Sequence, residues 1–377
     1  MTDVVGASAT GSGLARRRRR RLLRGTALAM GVLTLGAVGG GWALYAGLSD
    51  NITADEAAAA ELARYERERP TALVRGAQNI LVIGSDTRTG DGNRRYGRDS
   101  GTERSDTTIL LHLAAGRRTA TAVSLPRDLM VHVPGCLRRD GRRSEPSFTL
   151  LNSAFAVGGS ACTVRTVEKL TDIRIDHYAV VDFSGFKDVV HAVGGVQVCL
   201  PQPIHDKAAK LRLPAGRVTL DGEQALGYVR ARKSLGDGSD TDRMGRQQRF
   251  LGALVDRVQS GGVLLNPAKL YPLLVAATSA LTTDPELASL RGLYQLVRGL
   301  RAIPAEHMQF LTVPREPYVY DSDRDQLVAG RADALFALLR ADRPVRVGEQ
   351  GGSSGGKPGG SPAPAFRGNT AAEDRCE

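Results

Sequence analysis

Between Arg24 and Asp50 the chain carries no charge for 25 residues, "GTALAMGVLTLGAVGGGWALYAGLS", and just before this run stand Arg16–Arg21 and Arg24. Few segments leave a chain so little choice. At 1.5 Å per helical residue, about 20 such residues cross a hydrocarbon layer of roughly 30 Å. Trp42 and Tyr45 fall toward the far end, where amphipathic rings favour the interface. A basic block ahead of the span holds the N-terminus in the cytoplasm. The expectation is a basic cytoplasmic tail over 1–24, a transmembrane helix over 25–49, and everything after it outside the cytoplasm. The competing reading is a cleaved signal peptide: "ALYAG" offers small residues, although the span is long for one.

The same block explains most of the charge. Residues 1–24 hold seven arginines against Asp3, which is six of the net +11. The remaining five are spread over some 350 residues, too thin a basicity for a nucleic-acid-binding surface. Cys136, Cys162, Cys199 and Cys376 permit three full pairings. Outside the membrane disulfides are allowed. The loop-like surroundings "VPGCLRR" and "GGSACTV" favour Cys136 with Cys162, whereas "VQVCLP" reads as a strand with a buried free thiol at Cys199. No CxxC occurs and the six histidines never pair at ligand spacing, which argues against zinc.

Residues 50–78, rich in Ala, Glu and Arg at first, read as an extracytoplasmic stalk. Then "NILVIG" (79–84) is a continuous apolar run closed by glycine, a buried strand. "TTILLHL" and "TATAVSL" are two strands joined by the tight turn "AAGRR". "HYAVVDF", "SGFKDVVHAVG" and "GVQVCL" alternate strand, helix, strand, and "DGEQALGYVRAR" and "RMGRQQRFLGALVDRVQS" are helices. The alternation predicts an α/β fold, a central mixed sheet sandwiched by helices, over 79–343. The segment 344–377, with "GGSSGGKPGGSPAPAFRG", reads as a Gly/Ser/Pro-rich disordered tail. Its G-x-S-x-G match at 351–355 follows no strand and opens no helix.

Polar clusters recur at the strand ends. Asp86 and Arg88 follow the first strand, Arg104 and Asp106 precede the second, and Arg127 and Asp128 follow the third. Binding sites of open α/β sheets form in the crevice beyond such ends. If the first two strands are antiparallel, Asp86 and Asp106 come together and repel unless a cation or proton separates them. Oxygen ligands without histidine suit a hard ion, magnesium before calcium. The plainer alternative is that these aspartates cap turns and the arginines make surface ion pairs. Arg230, Arg232, Arg243 and Arg246 add guanidinium forks around a Gly/Asp turn, and forks match phosphate oxygens. Carboxylates, a hard metal and arginines together describe a pyrophosphate site.

Seven segments stand in one order: "NILVIGSDTR" (79–88), "RSDTTILLHL" (104–113), "SLPRDL" (124–129), "LNSAFAVGG" (151–159), "TVEKLTDIRIDHYAVVDFSGFKDVVHAVGGVQV" (166–198), "LDGEQALGYVRAR" (220–232) and "SDTDRMGRQQRFL" (239–251). In these core motifs, spanning 79–255, the chain resembles the LytR-CpsA-Psr family of bacterial cell-wall ligases. The resemblance implies a phosphotransferase that moves an anionic glycopolymer from a polyprenyl pyrophosphate carrier onto peptidoglycan, through a phosphodiester. It implies magnesium held by Asp86 and Asp106, with Asp106 also a candidate acceptor of the attacking hydroxyl's proton. It assigns Arg88, Arg127, Arg230, Arg232, Arg246 and Gln247 to the pyrophosphate, with Arg243 as an addition. Asp242 and Gly245 depart from the family's usual residues, and the acid beside Arg243 weakens that assignment. The loop "DGRRSEPSFTLLN" is longer and more basic than usual and is a candidate contact for the polymer. The same site serves a hydrolase that uses water instead of a sugar. A non-enzymatic wall-binding or regulatory protein is the third reading, disfavoured because Asp86 and Arg127 are both present.

Overall fold

The computed structural model describes residues 30, 34, 39, 46–48, 51–85, 105–207, 209, 211–231, 240–260, 267–348 and 365–374. The chain divides into two units, Met1–Asp50 and Asn51–Glu377. In the first, the described residues are helical. Among the described residues no helix is long and apolar enough to cross a membrane, and the predicted span 25–49 lies largely outside them.

The second unit is organised by one mixed sheet. Its described strands are β1 (Thr53–Ala54), β2 (Gln78–Ser85), β3 (Ser105–Leu113), β4 (Ala120–Leu125), β5 (His177–Val181), β6 (Leu281–Thr283), β7 (Met308–Thr312), β8 (Arg346–Gly348) and β9 (Ala365–Thr370). They lie in the order β1-β6-β5-β2-β3-β4-β7-β9-β8. The centre, β2-β3-β4, is antiparallel, flanked by β5 parallel to β2 and β7 parallel to β4. Helices α1 (Glu56–Arg64), α2 (Leu151–Thr171), α3 (Phe183–Ala192), α4 (Gly222–Arg230), α5 (Asp240–Ser260), α6 (Pro267–Ala280), α7 (Leu290–Arg301) and α8 (Ala329–Arg340) surround it.

The strand period of two explains why "NILVIG" is apolar throughout. Leu81 and Ile83 enter a core shared with Leu110, Val123 and Leu311 and covered by α1, α2 and α8. Ile80 enters the opposite core with Ile109, Ala122 and Phe310, against Leu251 and Val255 of α5 and Leu296 and Leu300 of α7. Both faces are covered, as the α/β sandwich expectation requires. A third cluster joins α3, α4 and α5 to the ribbon Val196–Leu200/Gly216–Leu220.

Three expectations are corrected. The stalk over 50–78 is largely built into the domain: Ala58 and Leu62, four apart on one face of α1, are buried in the first core. Beyond α1, Arg69 grips buried Glu168 at 2.8 and 3.1 Å and donates to the Ile175 carbonyl at 2.6 Å. The tail over 344–377 is likewise not all tail. Arg346–Gly348 and Ala365–Thr370 pair with each other, and β9 pairs antiparallel with β7. Phe366 is 1% exposed in the main core. The segment's average composition hides this one aromatic anchor. At Gly368 a Cβ would run into the Phe310 carbonyl, so only glycine lets the strands approach. Third, Cys199 is neither buried nor free: Val196–Leu200 alternates, Cys199 faces outward, and its sulfur is disulfide-bonded.

Cys136 and Cys162 also form a disulfide, 26 residues apart, fastening the loop after the ribbon strand Met130–Val133 to the second half of α2. The helix breaks at Gly158–Gly159 beside it. A Cβ on Gly158 would lie 2.9 Å from the Cys162 Cβ and 3.0 Å from that of Cys136.

If Phe366 anchors β9, Phe366→Ala destabilises the protein by about 3–5 kcal/mol in denaturant titration, the range for emptying a buried aromatic site. A change below about 0.5 kcal/mol, the range of a surface substitution, returns 344–377 to an unattached tail.

Candidate active site

Strand register builds the site. Gly84 pairs with Thr107 and Ser85 with Ser105, so β3 carries one extra residue, Asp106, at its start. A bulge of this kind re-aims the side chain it adds. On the other side of β3, Thr108 pairs with Leu125. Continuing that register two residues outward sets Asp106 opposite Arg127, which follows Pro126 at the end of β4. The Arg127 Nη1 donates to Asp106 Oδ1 at 2.8 Å and its Nε to Asp128 Oδ2 at 3.2 Å. The backbone is held as well: Asn152 N–H donates to the Arg127 carbonyl at 3.1 Å and Leu129 N–H to that of Pro126 at 3.2 Å. Asp106 keeps 34% of its side-chain surface in solvent and Arg127 22%, so the pair is reachable by a ligand.

Helix α5 supplies the opposite wall. A pocket is lined by Asp106, Thr107, Thr108, Ser124 and Arg127 from the strands and by Arg243, Met244 and Gln247 from α5. Gln248 pins the helix there, donating to Thr312 Oγ1 at 3.0 Å and Ser124 Oγ at 3.3 Å. Arg243 and Arg246 are 6% and 3% exposed. Arg246 donates to the Ala231 carbonyl and Gln247 Nε2 to that of Val229 at 3.2 Å. Both therefore hold the C-terminal end of α4, where cationic and N–H donors satisfy the last carbonyls.

The structure thus brings Asp106, Arg127, Arg243 and Gln247 to one pocket. Arg246 lies behind it, on the α4 end. Arg230 is exposed with its guanidinium over the Phe183 ring, 4.6 Å from the centroid, and does not line the pocket. Asp86, Arg88, Arg104 and Arg232 lie outside the described residues. Sequence reasoning missed Ser105, Thr108 and Gln248. The hydroxyls of Ser105 and Thr108 are buried with no hydrogen-bond partner among the described residues. The doubled threonine of "SDTTI" was a signal, since one of two neighbours in a strand must face the other way. Of the two, Thr108 lines the pocket with the Asp106 carboxylate, and oxygen donors of this kind fit a hard divalent cation.

A second cluster, His177, Asp284 and Glu286, brings ligand atoms within 4.8 Å of one another. Its geometry is that of a clasp. Asp284 accepts the N–H groups of Tyr178, Glu286 and Leu287 at 3.0–3.1 Å and lies 3.2 Å from His177 Nδ1, tying β5 to the turn after β6. The hydrogen bond to Asp284 raises the His177 pKa above 6.5, against the opposing effect of burial. Burial pushes Asp284 upward, but the bonds from His177 and the Leu287 amide outweigh it and hold the carboxyl below 3.8.

An α/β domain with a carboxylate–arginine pair and a buried helix arginine at its strand ends has the layout of a binding crevice. The chain belongs to the LytR_cpsA_psr family, whose model matches residues 48–337. It is 40% identical over 212 residues to the probable cell wall biosynthesis protein LcpB of Corynebacterium glutamicum, covering 54% of this chain and 47% of that one. It is 35% identical over 201 residues to the polyisoprenyl-teichoic acid–peptidoglycan teichoic acid transferase TagV of Bacillus subtilis, covering 52% and 49%. The chain therefore spans about half the length of these curated relatives. The crystal structure of Bacillus subtilis TagV superposes with a TM-score of 0.55 at 26% identity, over 72% of this chain and 98% of that one.

The clasp makes a pH prediction. The His177 contribution is complete below the unfolded pKa of about 6.5 and is lost as pH rises through its raised folded value; that of Asp284 is complete above about 3.9 and is lost as pH falls through its lowered one. The margin in melting temperature of pH 5.5 over pH 8.5, which the lowered pKa of buried His112 opposes, therefore falls in His177→Gln. An unchanged margin in the variant contradicts the clasp.

Proposed function

We propose that this chain is a membrane-anchored phosphotransferase, with its N-terminus cytoplasmic and its catalytic domain outside. It takes an anionic glycopolymer from a polyprenyl pyrophosphate carrier and joins it to peptidoglycan. The observation that carries the reading is the Asp106–Arg127 pair, 2.8 Å apart at a pocket whose other wall holds buried Arg243. One proton acceptor and two fixed cations are what attack by a hydroxyl on a pyrophosphate calls for. The TagV relative, by its name, transfers polyisoprenyl-linked teichoic acid to peptidoglycan, which supports the same reaction class here.

In this reading an acceptor sugar hydroxyl forms an O–P bond at the phosphorus bearing the glycan. The bond from that phosphorus to the bridging oxygen breaks, and polyprenyl phosphate leaves with that oxygen. Asp106 accepts the hydroxyl proton, and its bond to Arg127 keeps the carboxylate oriented. Arg127, whose planar fork spans two oxygens, and Arg243 hold positive charge against the phosphates as negative charge shifts to the leaving oxygen. Arg88, Arg230, Arg232, Arg246 and Gln247 are assigned to the same pyrophosphate by family resemblance. Arg246 and Gln247 act from the α4 end by keeping α5 in position. Asp106 together with Asp86 would hold magnesium, which when bound neutralises phosphate charge.

The test uses the full chain in detergent with a polyprenyl-pyrophosphate-linked glycan. Asp106→Asn and Arg127→Lys each lower turnover by about a hundredfold or more, the scale of removing a preorganised charge contact, with the melting temperature unchanged. EDTA abolishes turnover. Near-normal rates for Asp106→Asn, or full activity in EDTA, overturn the proposal.

A further inference from the structure

Four rings stand in a row on the surface beside this site. The ribbon Met130–Val133/Ser147–Leu150 sets His132 directly opposite Phe148, with ring centroids 4.8 Å apart. Phe148 lies 6.0 Å from Tyr318, and Tyr318 lies 5.4 Å from Tyr320. The last two belong to the hairpin Arg315–Tyr318/Asp321–Leu327. Phe148 is 47% exposed, Val319 71% and Tyr320 85%. Aromatic side chains dominate the energetics of cores and interfaces, each burying 150–250 Å² where it is covered. A row left in water is therefore a surface with a ligand to explain it.

The elements that carry the row adjoin the segment that carries Arg127. The Asp325 N–H donates to the Asp128 carbonyl at 3.1 Å, and Leu129 bridges to Asp325, so the hairpin adds onto the segment that carries Arg127. The ribbon does the same from the other side: Leu151, which directly follows Phe148–Leu150, donates its N–H to the Leu129 carbonyl at 2.8 Å. Arg315 pairs with Asp325 and braces the hairpin across its base. Both ring-bearing elements are thus hydrogen-bonded to residues 128–129, directly after Arg127.

Charge tells which of the two substrates this is. In the hairpin segment 315–325, Arg315 pairs with buried Asp325 and Arg324 with Asp321, which leaves Glu316 and Asp323 as uncompensated acids on the rim. Such a rim repels a polyanion and an anionic lipid surface alike. The basic loop with Arg138, Arg139, Arg142 and Arg143 is the surface of opposite sign. What suits flat rings with polar tips and an acidic rim is an uncharged pyranose chain. Its sugars offer an apolar C–H face to stack on a ring and equatorial hydroxyls to meet Tyr hydroxyls, His132 and carboxylates.

We propose that His132, Phe148, Tyr318 and Tyr320 form a platform that binds the acceptor glycan by stacking its pyranose rings, and delivers its hydroxyl to Asp106. This rests on the reading of the pocket as a glycopolymer transferase and assigns the acceptor side of it.

The probe is an N-acetylglucosamine hexasaccharide titrated into the full chain in detergent, beside poly(glycerol phosphate) as the polyanion and anionic phospholipid vesicles. The wild type binds the hexasaccharide, and Phe148→Ala and Tyr320→Ala each weaken that binding roughly tenfold, the worth of one ring contact. Their melting temperatures and their affinity for poly(glycerol phosphate) and vesicles do not change. Absence of hexasaccharide binding in the wild type overturns the platform, as does equal binding by the variants. A loss that falls on poly(glycerol phosphate) or on vesicles instead gives the row to the donor or to the membrane and also overturns it. Asp106→Asn separates the two claims. Retained turnover in that variant sinks the transferase reading, whereas the ring variants, read by hexasaccharide binding, judge the platform.

Discussion

The pairing register of three strands is the constraint on which the site depends. Thr107 faces Gly84, Thr108 faces Leu125, and one extra residue enters β3 at its start. From those pairings alone Asp106 meets Arg127 across the end of the sheet. Because strand side chains alternate, a slip of one residue would turn Asp106 toward a different layer and expose Leu110 and Ile109 on the wrong sides. The two cores on either face, each sealed by helices, forbid that slip. Core packing and the geometry of the site are therefore one specification, and the ion pair inherits the rigidity of the sheet centre.

The second wall depends on interactions made at a distance along the chain. Gln248 reaches Ser124 and Thr312, and Arg246 and Gln247 reach the last carbonyls of α4. Burying arginines is unfavourable unless hydrogen bonds replace water, so these anchors do more than decorate α5. They hold Arg243 at the pocket without freedom to swing out. The arginine-rich stretch around the Gly/Asp turn divides accordingly. Some of its guanidinium groups brace a helix end, some face the pocket, and Arg230 lies on an aromatic face.

The α/β sandwich was legible because apolar runs such as "NILVIG" have one physical explanation, a strand covered on both faces. Asp106 and Arg127 were legible for a related reason: polar residues at strand ends converge whenever neighbouring strands are antiparallel. Other features were hidden by averaging. Phe366 sits in a segment whose composition is otherwise that of a linker, and Leu62 in one that reads as a solvated helix. Cys199 was misread because a half-exposed strand and a buried one share their apolar residues. The partition of Arg246 and Gln247 between a helix end and a ligand could not be read at all, since it depends on where α4 stops. The sequence reading carries that helix through Arg232; the structure ends it at Arg230. The ring row comes from segments more than 150 residues apart, and no local pattern announces it.

The central claim is that Asp106 and Arg127 act as one unit. A double-mutant cycle on turnover, with Asp106→Asn, Arg127→Ala and the pair in the full chain, tests it directly. Residues that act together are strongly non-additive. The account predicts a double variant about as slow as the slower single one. Losses that multiply would mean that the two side chains contribute independently, and would contradict it.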